Sequence, residues 1–148
     1  PLPWWQILIG MATVHVVGSV LLSLVFQLAH VVEGPEQPLP GVDGKMDEAW
    51  MEHELHTTSN FAPRNRLLGW YVGGLNFQIE HHLFPRVCSV HYPAISRLVE
   101  ATAKKHDLPY QSIPTFRSAL ASHLRMLKQF SRPPVQVAAN VEGAASAA

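Results

Sequence analysis

The sequence holds a single cysteine, Cys88, in 148 residues. That excludes an internal disulfide and any four-cysteine zinc or iron–sulfur site. It also lacks net charge, with 11 basic residues against 11 acidic ones. No polyelectrolyte partner is implied, and no nucleic acid is expected to bind. Charge is missing altogether from residues 1–32, since every Asp, Glu, Lys and Arg lies at Glu33 or beyond. No stretch alternates apolar and polar residues for long enough to announce a strand, and there is no internal repeat. The zinc-protease pattern H-E-x-x-H is absent, because "HELH" at 53–56 has the wrong spacing. Histidine, in contrast, is abundant: there are nine. With so little thiol, a bound metal would be held by nitrogen.

The uncharged opening explains itself as a membrane segment. "ILIGMATVHVVGSVLLSLVFQLAHVV", residues 7–32, is broken only by Thr13, His15, Ser19, Ser23, Gln27 and His30. It exceeds the roughly 20 apolar residues that a helix needs to cross a bilayer. Trp4 and Trp5 stand at its start, where aromatic side chains favour the membrane–water interface. The competing reading, a buried helix of a soluble protein, would ordinarily show a polar stripe, and none is seen. A signal peptide is shorter and begins with basic residues. All Lys and Arg follow the span, which places the C-terminal part on the cytoplasmic side. His15, in mid-span, is read as hydrogen-bonded between helices or lying beside a substrate rather than bound to metal. The chain opens on Pro1 without an initiator Met and is read as the C-terminal part of a longer protein.

Beyond the span, "EGPEQPLPGVDG" at 33–44 holds three prolines and three glycines and reads as a loop. Residues 45–60 have helical spacing, and "FAPRN" ends that pattern at Pro63. Residues 66–84 read as a second apolar helical stretch. Its uncharged run, Leu67 to Ile79, is too short to span a bilayer. Pro85 ends it. Two amphipathic helices follow, one entered at Pro93 and running to His106, the other capped by Thr115 and running to about Phe130. The small-residue tail, 131–148, reads as disordered. The expected fold is all-α: a transmembrane helix within 1–32, a loop over 33–44 and a cytoplasmic helical part over 45–130.

The chemistry concentrates in "GGLNFQIEHHLFP", residues 73–85. On a helix, Gln78, His81 and His82 project toward one side. Adjacent residues diverge by about 100°, so His81 and His82 suit two metal sites a few ångströms apart better than one tetrahedral zinc. The plain alternative is a pair of surface or core-edge histidines. An unpartnered imidazole in so apolar a segment would be costly.

These residues resemble the third histidine box of membrane-bound fatty acid desaturases, in the form where Gln replaces the first His of H-x-x-H-H. That form marks front-end desaturases and related bacterial acyl-lipid or acyl-CoA desaturases. The resemblance extends to "AHVVEG" at 29–34, to Trp50 with "TTSNFAP" at 57–63, and to "HYPAISRLVEATAKKHDLPY" at 91–110. It implies two iron ions held by histidines. His81 and His82 would be ligands from the box at 78–82, His30 an additional ligand at the end of the span, and Gln78 a weak or water-mediated one. The other two boxes are not in this chain and are expected upstream, so the chain alone is expected to be inactive. Glu80, Asn76 and Asn60 are candidates for supporting the ligands by hydrogen bonds. His53 and His56 are assigned supporting or surface roles, and Glu54 sits where relatives often carry Gln. His91, His106 and His123 are read as surface or packing residues, and Cys88 as a bystander.

The resemblance further implies an acyl lipid or acyl-CoA substrate, O2, and an electron donor of cytochrome b5 or ferredoxin type. The expected reaction is insertion of a cis double bond into an acyl chain. An acyl or sphingolipid hydroxylase of the same superfamily, a membrane-bound hydrolytic zinc protein, and a non-catalytic membrane remnant are the alternatives.

Overall fold

The computed structural model describes residues 2–132. Helix α1, Trp4–His30, runs unbroken for 27 residues. At 1.5 Å per residue that is about 40 Å, longer than the roughly 30 Å hydrocarbon layer of a bilayer. Its window most favourable for a membrane is wholly unburied by the rest of the chain. Trp4, Leu8, Val14, Val16 and Leu22 all stand exposed, and only Leu28 and Ala29, at the C-terminal end, are buried. An apolar helix that its own chain does not cover needs an apolar environment from elsewhere.

The last turn of α1 is the anchor for everything else. The Val31 amide closes the helix on the Gln27 carbonyl (2.8 Å). Leu28 and Ala29 pack with Phe61, Ala62 and Ala119, joined by Leu68, Ile113, Phe116 and Leu120. Glu33 then ties to helix α6, Phe116–Phe130: its backbone amide donates to Ser122 Oγ (2.8 Å), and Arg125 grips its carboxylate through two nitrogens. The His123 ring meets the Val31 carbonyl at 2.8 Å, so this histidine is a packing residue, as read from the sequence.

The remaining elements are short. Helix α2 is Trp50–Thr57, β1 is Ser59–Phe61, α3 is Arg66–Tyr71, α4 is Gln78–Leu83, α5 is Tyr92–Lys105 after a 3-10 turn at Ser89–His91, and β2 is Gln111–Ile113. Strands β1 and β2 pair in parallel, with Ser59 opposite Gln111, Asn60 opposite Ser112 and Phe61 opposite Ile113. The fold is mostly helical, in keeping with the all-α expectation, and one two-stranded sheet is added to it. The strands escaped notice because they are three residues long, too short for a period of two. All of β1 is buried, so it shows no polar face.

Two helical expectations are corrected. The pattern over 45–60 becomes a helix only from Trp50, and Thr58 onward is extended because β1 must reach β2. The single helix expected over 66–84 is two, α3 and α4. Gly73 and Gly74 have φ of 63° and 84°, left-handed values that stop a helix, and the Gly74 amide donates back to the Gly69 carbonyl (2.7 Å). The last two helices match their expected bounds to within a residue. Pro lies in the first turn of α5, and Thr115 with Ser118 forms a reciprocal cap on α6. A second core of Leu55, Ile79 and Ala103, flanked by Leu83, Val99, Leu108 and Tyr110, joins α2, α4 and α5. Of the expected tail, 133–148 lies outside the described residues.

Candidate metal centre

The break at Gly73–Gly74 determines how the box is presented. It leaves α4 as a separate short helix pinned at its first turn. The Ile79 amide donates to Asn60 Oδ1 (3.0 Å), and Asn60 Nδ2 donates to Glu80 Oε2 (2.8 Å) and approaches Tyr110 Oη (2.8 Å). The Tyr110 hydroxyl donates to Glu80 Oε1 (2.8 Å). Asn60 and Glu80 have no exposed surface. Burial pushes the Glu80 carboxyl above the usual carboxylate range, against the pull of its two donors. Burial and the adjacent Glu80 push the Tyr110 phenol up as well. With these groups α4 is fastened to β1 and to the entry of β2. Glu80, expected to orient an imidazole, instead spends both oxygens on Asn60 and Tyr110. Asn76, also buried, points Nδ2 at the Ala62 carbonyl (3.4 Å).

Pinned this way, α4 carries its histidines toward the end of α1. The rings of His30 and His82 lie 5.1 Å apart between centroids, and those of His81 and His82 lie 5.8 Å apart. All three are half-buried. Each has its Nδ1 beside a protein acceptor or hydroxyl: Glu54 Oε2 for His82 (2.7 Å), the Thr57 carbonyl for His30 (3.3 Å), and Tyr92 Oη for His81 (3.4 Å). Among the described residues no hydrogen bond is made to Nε2 of any of them. At His30 and His82 the partner can only accept, which selects the tautomer with the proton on Nδ1 and leaves the Nε2 lone pair free, whereas the Tyr92 hydroxyl beside His81 can either donate or accept. Burial holds the His82 imidazole below the usual histidine range, while Glu54 opposes that pull. Neutral imidazoles are the form that binds metal.

Gln78 is buried at the start of α4, and its amide makes no hydrogen bond among the described residues; Nε2 is enclosed without a partner. Gln78 shares α4 with His81 and His82, and its orphaned buried amide is a polar group whose partner the described residues do not supply. The residues thus fit an imidazole-bound ion such as iron. They do not complete its shell, since no three His, Cys, Asp or Glu among the described residues form a metal-binding group by themselves.

The other histidines stay outside this cluster. His56 meets Glu48 Oε1 at 2.8 Å, and His53 Nδ1 is buried without a partner among the described residues. His15 bonds the Met11 carbonyl within α1, His91 and His106 are exposed, and so is Cys88. Glu54, Tyr92, the Thr57 carbonyl and Tyr110 were not legible as parts of the site. Each comes from an element that packs onto α4 only in three dimensions, and no spacing rule links them to the box.

A sequence model of the fatty acid desaturase family matches residues 1–114. Among curated proteins, the chain is 35% identical over 128 residues to an sn-1 linoleoyl-lipid 6-desaturase of Synechocystis sp., covering 86% of this chain and 36% of that one. It is 49% identical over 109 residues to an acyl-lipid (8-3)-desaturase of Physcomitrium patens, covering 74% and 22%. A further acyl-lipid (8-3)-desaturase, from Mortierella alpina, is 36% identical over 133 residues, covering 90% and 30%. The chain therefore spans about a third or less of the length of these relatives. No solved structure matches it.

Proposed function

The chain belongs to the fatty acid desaturase family, and from that premise we propose that it supplies the third histidine box of an acyl-lipid desaturase. The observation that carries the reading is the convergence of His30, His81 and His82, each with Nδ1 engaged and Nε2 free. His81 and His82 would hold two iron ions between them, diverging as neighbours on a helix must. His30 would bring a further imidazole from the end of α1, and Gln78 a weak or water-mediated oxygen. When bound, the irons supply the activation of O2 that, with two electrons and two protons, removes two hydrogens from adjacent acyl carbons and releases two waters.

What this chain's residues contribute is placement. Helix α1 crosses the membrane and delivers His30 at its cytoplasmic end, at the level where a lipid's acyl chain begins. The Asn60–Glu80–Tyr110 network holds α4 so that His81 and His82 keep their separation. Glu54, Thr57 and Tyr92 fix the ring orientations. The relatives named for acyl-lipid and linoleoyl-lipid substrates support a lipid-linked acyl chain over acyl-CoA. Electrons would come from a cytochrome b5-type or ferredoxin donor.

The test is expression of the complete gene in a host poor in unsaturated lipids, with fatty acid analysis and metal analysis of the purified protein. A new cis double bond and bound iron are expected. A hydroxylated product with no new double bond, or stoichiometric zinc without iron, overturns the reading.

A further inference from the structure

We propose that Glu54 is a positioning residue for this centre, whose carboxylate makes His82 the most strongly donating of the three imidazoles and retains the metal at that position. The inference rests on the iron-centre reading above and gives Glu54 a role there beyond fixing the orientation of a ring. Its basis is an asymmetry among the three rings. His30 and His81 meet neutral oxygens at 3.3 and 3.4 Å, whereas His82 meets a carboxylate at 2.7 Å. A full negative charge at that distance polarises the ring more than a neutral oxygen does. Glu54 Oε2 stands at ion-pair distance from His82 Nδ1, and its negative charge favours a proton on that nitrogen and pushes electron density through the ring toward Nε2.

The carboxylate is held in place rather than swinging in solvent. The Glu54 side chain is 15% exposed. Its neighbour Leu55 is buried against Ile79 of α4, so the helix bearing the carboxylate is locked to the helix bearing the imidazole. The same segment holds a second carboxylate–imidazole pair of nearly the same length, Glu48 with His56 at 2.8 Å. His56 is not among the three converging rings, so this pair serves as a built-in control for loss of a negative charge.

Three variants of the enzyme expressed from its complete gene decide the matter: Glu54→Gln, Glu54→Leu and Glu48→Gln. The readouts are the rate of iron loss to a ferrous chelator and the Mössbauer spectrum of the iron that remains. Losing a supporting partner of this kind costs about 10–100-fold in metal retention. Glu54→Leu is expected to lose iron faster by that factor. Glu54→Gln keeps an acceptor of the same shape without the charge and is expected to fall between Glu54→Leu and the parent, with an altered spectrum for one iron. Glu48→Gln is expected to match the parent. Iron loss and spectra in both Glu54 variants equal to the parent's, or an effect of Glu48→Gln as large as that of Glu54→Gln, overturns the role of Glu54. Should Glu54→Leu fail to fold, Glu54→Gln against Glu48→Gln decides alone. An iron-free parent protein overturns the underlying iron-centre reading instead, so the two failures are distinguishable.

Discussion

The imidazoles of His30 and His82 meet edge to face, with ring centroids 5.1 Å apart and planes at 66°, though one ends the long apolar helix and the other lies in the separate short helix α4. Among the described residues His30 meets the Thr57 carbonyl and His82 meets Glu54, both through Nδ1. We expect that His30→Ala, His81→Ala and His82→Ala each abolish desaturation in the enzyme from the complete gene while membrane insertion persists. Acyl-product analysis with membrane fractionation checks this, and substantial product from the His81 or His82 variant would contradict the ligand assignment.

Gln78 is expected to matter less. Among the described residues its amide has no partner, so truncation breaks no hydrogen bond there. If it binds weakly or through water, Gln78→Ala reduces product formation by less than either box histidine does. Product yields of the three variants measured side by side provide the comparison, and a Gln78→Ala loss as complete as that of His82→Ala would make Gln78 a full ligand.

The Asn60 network should show its cost in stability. Asn60→Leu removes the acceptor for the Ile79 amide and one donor to the buried Glu80 carboxylate. Leaving such groups unpaired costs roughly 1–3 kcal/mol each. Tyr110→Phe removes one donor to Glu80 and should cost about 1–3 kcal/mol. Thermal unfolding in detergent should rank the parent above Tyr110→Phe and Tyr110→Phe above Asn60→Leu.

The two glycines before the box should differ although both are left-handed. A Cβ on Gly73 meets nothing, so Gly73→Ala costs only the backbone penalty of about 1 kcal/mol. A Cβ on Gly74 would lie 2.6 Å from Ser89 Cβ. Overpacking of that kind adds roughly 1–3 kcal/mol. Unfolding midpoints of the two alanine variants check the order, and equal midpoints would argue against the tight approach of Gly74 to Ser89.

The clamp between Glu33 and Arg125 should be sensitive to acid. The Arg125 guanidinium holds the Glu33 carboxyl below its ordinary value of 4.5. A depressed carboxylate stabilises the folded state above that value, and the contribution disappears as pH falls from it through the lower folded value. Both side chains are largely exposed, so the effect is small and screened by salt. Hydrogen exchange of the α6 amides is expected to quicken as pH drops below 4.5, after correction for intrinsic rates. Arg125→Met should remove that dependence.

Much of the architecture could be read without coordinates because its causes are local. An uncharged run long enough to span a bilayer gives α1 whatever it packs against. Pro93 and Thr115 set the entries of α5 and α6 through fixed φ and side-chain capping. The box declared its histidines through helical spacing, and its family resemblance supplied His30.

Other features depended on partners distant in sequence. Helix propensity over 58–61 yields to a strand because β1 finds β2 some fifty positions on, and burying the backbone of Ser59 and Asn60 requires that ladder. The 66–84 segment breaks because two glycines take φ values that other residues reach only at a cost. By itself the sequence determined which residues bear imidazoles and that an apolar helix leads to them, since composition and periodicity need no neighbours. Only the tertiary structure decided that Glu54, rather than Glu80, grips His82, because a carboxylate bonds whatever packing brings within reach of it.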